Sequence, residues 1–284
     1  MTRARPRPRR AHASSRAWAR IAACCAFCIC APALAQGLGF GGGDSDAPIE
    51  VDAADGIEWL QDQQVFTARG DAVAVRGDVS VHADLLRAYY RNKPDGGTEV
   101  WRLDAGGNVR IVAPEETAYG DNGVFDVENG VLVLSGPKVR LVTAEDEIIA
   151  DRQIEYWEKK RMAVARGNAH AIRGERRLRA DVLSAHFRPF EGKTRVYKVE
   201  AFDNVYVVLE DDTVTADRAI YNVESGIATL TGSVKITRGE NQLNGCVAEI
   251  DLGSGASTLK GCEGAGKGEG RVRGLIVPDQ VRKK

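Results

Sequence analysis

Apolar and polar residues alternate along most of the chain between residues 50 and 250, as in Gly232-Ser233-Val234-Lys235-Ile236 and Gly107-Asn108-Val109-Arg110-Ile111. A period of two sends successive side chains to opposite faces of a β-strand, so these stretches predict strands with one buried face. Two kinds of mark interrupt the alternation. One is a small residue followed by Asp: Ala54-Asp55, Ala83-Asp84, Gly120-Asp121, Ala150-Asp151, Ala180-Asp181 and Ala216-Asp217, with Gly245-Cys246 in the seventh place. The other is usually Gly: Gly70, Gly107, Gly136, Gly167, Asp203, Gly232 and Gly261. The first marks are spaced by 29, 37, 30, 30, 36 and 29 residues. A recurring period near 30 residues signals stacked supersecondary units that share one core.

Midpoints between successive marks fall on turn-forming residues, among them Asp62-Gln63, Gly77, Pro94 to Gly97, Pro114-Glu115, Glu128-Asn129-Gly130, Gly174, Gly192, Gly239 and Ser254. Gly supplies positive φ there, while Asn, Asp and Pro favour tight reversals. Thirteen turns imply an all-β meander of roughly 14 antiparallel strands, 14 to 16 with the ends included. Around each Gly mark the positions two and four residues away are mostly apolar, as in Leu132, Leu134, Val205, Val207, Leu230, Val234 and Ile236. The copies at Gly70 and Gly136 shift this phase by one residue (Val73 and Val75; Val139 and Leu141), which predicts a bulge in each. Gly and Asp are uncommon in mid-strand. Their recurrence there reads as a crease that folds the sheet into a V with its apolar face inside. A flat sheet is the plain alternative. A parallel β-helix is disfavoured, because tight turns join antiparallel neighbours and long crossovers are missing.

The ends change the charge reading. The first 35 residues hold seven arginines and no acid, then an apolar run from Ile21 to Pro32 and the small-x-small pattern Ala33-Leu34-Ala35. About 12 apolar residues are too few to span a bilayer, which needs about 20. Residues 1–35 are therefore expected to be a signal peptide cleaved near Ala35/Gln36, followed by a Gly-rich linker over 36–47, the β domain over 48–278 and a basic tail over 279–284. The whole chain has 39 basic and 40 acidic residues. Without the leader's seven arginines, 32 basic residues face 40 acidic ones, which argues against a nucleic-acid partner.

Candidate chemistry is sparse. Cys246 and Cys262 are the two cysteines left after the leader, and they lie symmetrically about Ser254, so a hairpin turning there sets them opposite each other. A disulfide is expected in an exported chain, with two free thiols as the alternative. His82, His170 and His186 show no converging spacing with acids, so neither a metal site nor a catalytic centre is expected, and no cofactor is implied. The Asp marks could form a ladder of carboxylates for sugar cleavage or calcium. Because Asp203 and Cys246 break the pattern, a structural role at the crease is preferred. Tyr89, Phe125, Tyr156, Phe187 and Tyr221 follow the Asp marks by four to six residues and read as core fillers or as the rim of an apolar groove.

Several segments resemble the periplasmic lipopolysaccharide-transport LptA/OstA-like family. These are Pro48-Ile49-Glu50-Val51-Asp52-Ala53, Val65-Phe66-Thr67-Ala68-Arg69-Gly70, Ala216-Asp217-Arg218-Ala219-Ile220-Tyr221, Leu230-Thr231-Gly232-Ser233-Val234 and Arg273-Gly274-Leu275-Ile276-Val277-Pro278. The resemblance covers about residues 48 to 278. It implies a V-shaped antiparallel β-jelly roll whose interior carries lipid acyl chains from inner to outer membrane, in the periplasm. It also implies docking through sheet edges with LptC-like and LptD-like partners of the same fold, and head-to-tail homo-oligomers. By match to the opening motif, Ile49 would contact lipid, with Val51 beside it. Alternation adds Phe66, Leu132, Leu134, Val205, Val207, Leu230, Val234 and Ile236. A membrane-anchored LptC-like component is the alternative within the pathway, and a β-solenoid carbohydrate enzyme or a structural scaffold the alternatives outside it.

Overall fold

The computed structural model describes residues 48–277 except 95, 192, 210, 211, 255 and 263–269. The expected signal peptide, the linker over 36–47, most of the Gly-rich stretch before the closing strand, Pro278 and the basic tail lie outside the described residues.

Eighteen strands run in chain order. They are β1 (Glu50–Asp52), β2 (Gly56–Leu60), β3 (Val65–Arg76), β4 (Val79–Asn92), β5 (Thr98–Val112), β6 (Glu116–Asp126), β7 (Val131–Ser135), β8 (Val139–Thr143) and β9 (Glu147–Ala150). There follow β10 (Gln153–Trp157), β11 (Met162–Arg173), β12 (Arg176–Phe190), β13 (Lys193–Leu209), β14 (Asp212–Asn222), β15 (Ile227–Arg238), β16 (Asn241–Asp251), β17 (Ser257–Lys260) and β18 (Arg273–Leu275). Every expected turn falls in a connection. The count exceeds 14 to 16 because four long strands are divided at the crease, between β1 and β2, β7 and β8, β9 and β10, and β17 and β18. In each case the two pieces pair with the two halves of one neighbour, as β7 and β8 do along β6. All pairings are antiparallel, from β1/β2 at one edge to β17/β18 at the other. The sheet thus has two arms: β2, β7, β10 and β17 belong to one, β1, β8, β9 and β18 to the other, and the remaining strands pass through both.

The crease has one construction, repeated. Pairing skips one residue at Gly70-Asp71, Gly107-Asn108, Gly167-Asn168, Asp203-Asn204 and Gly232-Ser233, so each of those strands carries a bulge. The bulge needs left-handed backbone, at φ 78° and 50° for Gly107 and Asn108 and at 61° and 52° for Asp203 and Asn204. Gly and Asn adopt that region at least cost. Facing each bulge is an Asp mark on the adjoining strand. Asn108 Nδ2 donates to Asp84 Oδ2 at 2.9 Å, Asn168 Nδ2 to Asp151 at 3.0 Å, Asn204 Nδ2 to Asp181 at 2.8 Å, and the Ser233 amide to Asp217 at 3.1 Å. These aspartates are exposed on the outer side of the fold. The small residue before each points inward: Ala83, Ala150, Ala180 and Ala216 are buried, and a Cβ on Gly120 would come within 2.7 Å of Leu134 Cγ. The bend therefore has a small residue inside and a hydrogen-bonded clasp outside.

At the seventh rung a disulfide replaces the clasp. Cys246 occupies the Asp position and Cys262, after Gly261, the Asn position, and the two are bonded with Cα atoms 5.0 Å apart. The β16–β17 register, with Val247 opposite Lys260, would set Cys246 opposite Gly261, one residue short of Cys262. The extra residue recurs in the five bulges. Beyond Cys262, whose amide donates to Gly270 O at 2.9 Å, the chain returns as β18.

One expectation is corrected, and one strand is placed. The strand over Arg273–Leu275, β18, pairs with β16 (Gln242 opposite Leu275, Asn244 opposite Arg273) and supplies the second arm of the edge strand that β17 begins. At Gly70 the phase does not shift. Ala72 is fully buried and Ala74 packs on the core, while Val73 and Val75 face the other side. At Gly136 the shift is present, with Val139 and Leu141 buried.

Gly107 tests the clasp directly. A Cβ there would overlap the Asp84 carboxylate at φ 78°, whereas one on the adjacent Gly106 would find its nearest neighbour at 3.8 Å. Gly107→Ala is expected to lose more than about 2 kcal/mol in urea denaturation and Gly106→Ala less than about 1. Equal losses would contradict the bent-strand construction.

Candidate functional site

Folding the sheet brings the inward residues of both arms onto one space, and that space is lined almost wholly by hydrocarbon. Near the first edge it opens into a cavity of about 360 Å³. Ile49, just before β1, and Val51 on β1 enter it, with Ile57 from β2, Phe66 from β3, and Phe125 and Leu132 from β6 and β7. A second cavity of about 130 Å³ lies mid-molecule between Ile148, Ile154, Leu178, Leu183, Val199 and Val207. A third, of about 30 Å³, adjoins it through Leu178, Val199 and Val207 and reaches Leu230 and Tyr221.

The ten sequence-predicted residues divide by place. Ile49, Val51, Phe66 and Leu132 line the first cavity, Val207 the second and third, and Leu230 the third. Leu134, Val205 and Val234 are 1–2 % exposed and sit against the crease as core. Ile236 is half-buried against the core and lines none of the three cavities. Alternation did not single out Ile57, Leu86, Leu103, Ile154 or Leu183. For Leu86 and Leu183 the reason is a three-residue step at the Asp mark, from Ala83 to Leu86 and from Ala180 to Leu183, which exchanges the inward parity. Phe125, Phe187 and Tyr221 are buried and Tyr156 packs edge-on to Phe187. Tyr89 lies on the outer face beside Trp101, and its neighbour Tyr90 is the buried ring, accepting from Trp59 Nε1 at 2.7 Å.

The chain matches the family described as LptA/(LptD N-terminal domain) LPS transport protein twice, over residues 51–156 and 147–256. Together these matches take in most of the chain. It belongs to that family. LptA/LptD-family members are lipopolysaccharide-transport proteins and not enzymes, in keeping with carboxylates that clasp a crease. No curated protein sequence matches the chain. Among solved structures it is similar to LptH, the LptA-homologous periplasmic component of the lipopolysaccharide transport device of Pseudomonas aeruginosa. The two are 13 % identical, the alignment covers 82 % of this chain and 97 % of LptH, and the TM-score is 0.22. Among the described residues no group of three or more His, Cys, Asp or Glu could hold a metal ion, and no helix is long and apolar enough to cross a membrane.

The two family matches meet within β9 and β10, so this LptA/LptD-family chain carries two units in one continuous sheet. The spacings repeat accordingly, as 29, 37, 30 and then 30, 36, 29. Equivalent positions differ in one telling place. At the tip joining β13 and β14, Asp212 accepts two hydrogen bonds from Arg238 on β15, at 2.6 and 2.5 Å. At the matching tip between β5 and β6, Glu116 faces Thr143 on β8. Its side chain shares the inward face with Ala118, and the residue is buried, 7 % exposed. Among the described residues no hydrogen bond or ion pair reaches it. Burial, with the like charge of Glu115 adding, raises its carboxyl to about 7.

The folded pKa lies above the ordinary 4.5, so between about pH 4.5 and 7 the folded chain keeps a proton that the unfolded chain has released. Stability contributed by this proton is complete below the unfolded value and is lost as pH rises through 7. Glu116→Gln should therefore equal the wild type near pH 4 and exceed it by on the order of 2–3 kcal/mol at pH 8 in urea denaturation. A pH-independent difference would contradict the assignment.

Proposed function

We propose that the protein is a periplasmic carrier that shields the acyl chains of lipopolysaccharide in the apolar groove between its arms and passes them from the inner towards the outer membrane. The observation that carries this reading is the continuous apolar face, folded on itself and left open as cavities lined from both arms. A protein needing only stability would close that space, because packing to native density gains dispersion energy that a void forfeits. A carrier has reason to leave it open. At about 0.8 kcal/mol per buried methylene, one chain of a dozen carbons exposed to water costs near 10 kcal/mol.

Residues 1–35 act in this reading as a signal peptide removed near Ala35/Gln36, and residues 48–278 as the jelly-roll carrier. An oxidising periplasm fits the disulfide at the last rung. The sheet edges serve as docking surfaces for LptC-like and LptD-like partners at the two membranes, and for head-to-tail copies of the chain. Among the described residues β1/β2 and β17/β18 pair on one side only, and both edges carry exposed apolar groups: Ile57 and Trp59 at the first, Leu275 and Ile276 at the last. Edge pairing satisfies open backbone groups and covers such side chains together.

Photo-crosslinking amino acids placed at Ile49, Phe66 and Leu230 should form lipopolysaccharide adducts in envelopes, whereas the same probe at outward-facing Arg110 or Lys235 should not. Adducts at the outward positions with none inside would sink the proposal.

A further inference from the structure

The three cavities carry different charge. The first is lined by one arginine and one aspartate, Arg87 and Asp104, which stand opposite each other on β4 and β5, and the third by no charged residue. The second is lined by Arg173, Arg176 and Arg177 against a single acid, Asp146. Apart from Ser184, the rest of its wall is apolar.

The cations are placed by the β11–β12 hairpin, which turns at the exposed Gly174 and Glu175. Arg173 closes β11 two residues after Ala171, and Arg176 opens β12 two residues before Leu178. Ala171 and Leu178 both line the cavity and pack on the core, so a period of two turns the two arginines inward as well. They also stand directly opposite each other in the antiparallel register. Like charges in that relation repel, and an anion beside them relieves the repulsion. Asp146, in the turn between β8 and β9, supplies part of it: its two oxygens accept from Arg173 Nε and Nη2 at 2.7 and 2.6 Å. Glu145, more exposed, lies 3.8 Å from Nη2. The third nitrogen of that guanidinium, Nη1, is buried and makes no hydrogen bond among the described residues. Buried donors are ordinarily satisfied, and one left over calls for an acceptor.

Asp146 falls in the first matched region alone and the arginines in the second alone, so the arrangement spans the junction of the two units. The same pairing recurs between Asp212 and Arg238, but that arginine lines none of the three cavities, and its side chain is 49 % exposed against 17 % for Arg173. One pair braces a tip, and the other ends an apolar cavity.

We infer that Arg173 and Arg176 form a subsite for a phosphate monoester at the head of an amphiphile whose acyl chain enters the second cavity. The inference rests on the acyl-groove reading and adds the chemistry and place of the headgroup. Guanidinium groups meet phosphate oxygens in a forked geometry, and the three terminal oxygens of a monoester can serve both arginines, Nη1 included. The hairpin tip keeps the head near water, while the chain runs inward past Ile148, Ile154 and Leu178.

The test compares two probes that share a dodecyl chain: dodecyl phosphate and its neutral dimethyl ester. Binding to the full chain is measured by calorimetry at pH 8 and low salt, below the critical micelle concentration, with unfolding curves run on every variant. The wild type should bind the monoester about tenfold more tightly. Arg176→Gln should bring that preference below about threefold and leave affinity for the dimethyl ester unchanged. Arg179→Gln, which removes the same charge from an exposed position on the same strand, should leave the preference intact. Inorganic phosphate should bind at least about a hundredfold more weakly than dodecyl phosphate, since the chain anchors the head. Equal binding of both probes by the wild type, or a preference that survives Arg176→Gln or falls as far in Arg179→Gln, would overturn the subsite while leaving the acyl groove intact. Inorganic phosphate binding as tightly as dodecyl phosphate would mark a free-anion site and overturn the headgroup assignment. Binding of neither probe would overturn the acyl reading and the subsite with it.

Discussion

The structure depends on bending a wide antiparallel sheet sharply without breaking its hydrogen bonds. A strand crossing the fold line must shorten on the inside and lengthen on the outside, and the chain meets both demands residue by residue. Inside, the marks are Ala or Gly, because anything larger strikes the opposing strand, as Gly120 would strike Leu134. Outside, a bulge adds one residue, and its left-handed Gly-Asn or Asp-Asn pair is held by an aspartate next door. Where the series ends, at the edge with the fewest neighbours, the clasp becomes the Cys246–Cys262 bond.

From that bend follows the separation of two kinds of interior. Close to the crease the arms touch, and Leu134, Val205 and Val234 pack as ordinary core. Farther out the arms diverge and the same apolar face lines open space, most widely near the first edge. Polar groups gather at the tips, where the arms reach water. The two family units solve the tips differently: Asp212 is neutralised by Arg238, Asp146 by Arg173 at 2.7 and 2.6 Å, and Glu116 by neither. A sheet that is nearly symmetric in its backbone is therefore asymmetric in what its mouth can hold.

Much of this was legible because the signals are local. Turn residues mark nearly every connection, and in the Gly strands other than the one through Gly136 inward residues keep one parity through the crease, so Val207 and Leu230 could be read directly, as could Leu132 before its strand shifts. The Asp strands were harder. Their three-residue step at the mark exchanges parity, so Leu86 and Leu183 look outward to an observer counting by twos. The doubled unit was present in the spacings, but one period of 30 masks a superperiod of three. Whether an inward residue is core or cavity lining depends on how far apart the arms stand, which alternation does not encode. Glu116 was invisible for a similar reason: its isolation is set by Thr143 on a strand whose register depends on the turn between β6 and β7, and by the matching arginine a hundred residues later.

The central claim is that the inside of the bend, and not its outer surface, receives acyl chains. Intermolecular nuclear Overhauser effects from the methylenes of bound lipopolysaccharide to methyl-labelled protein test it most directly. The predicted result is contacts to the methyls of Leu132, Val207 and Leu230 and none to outward Val133 and Val247. Contacts confined to the outward methyls would contradict it.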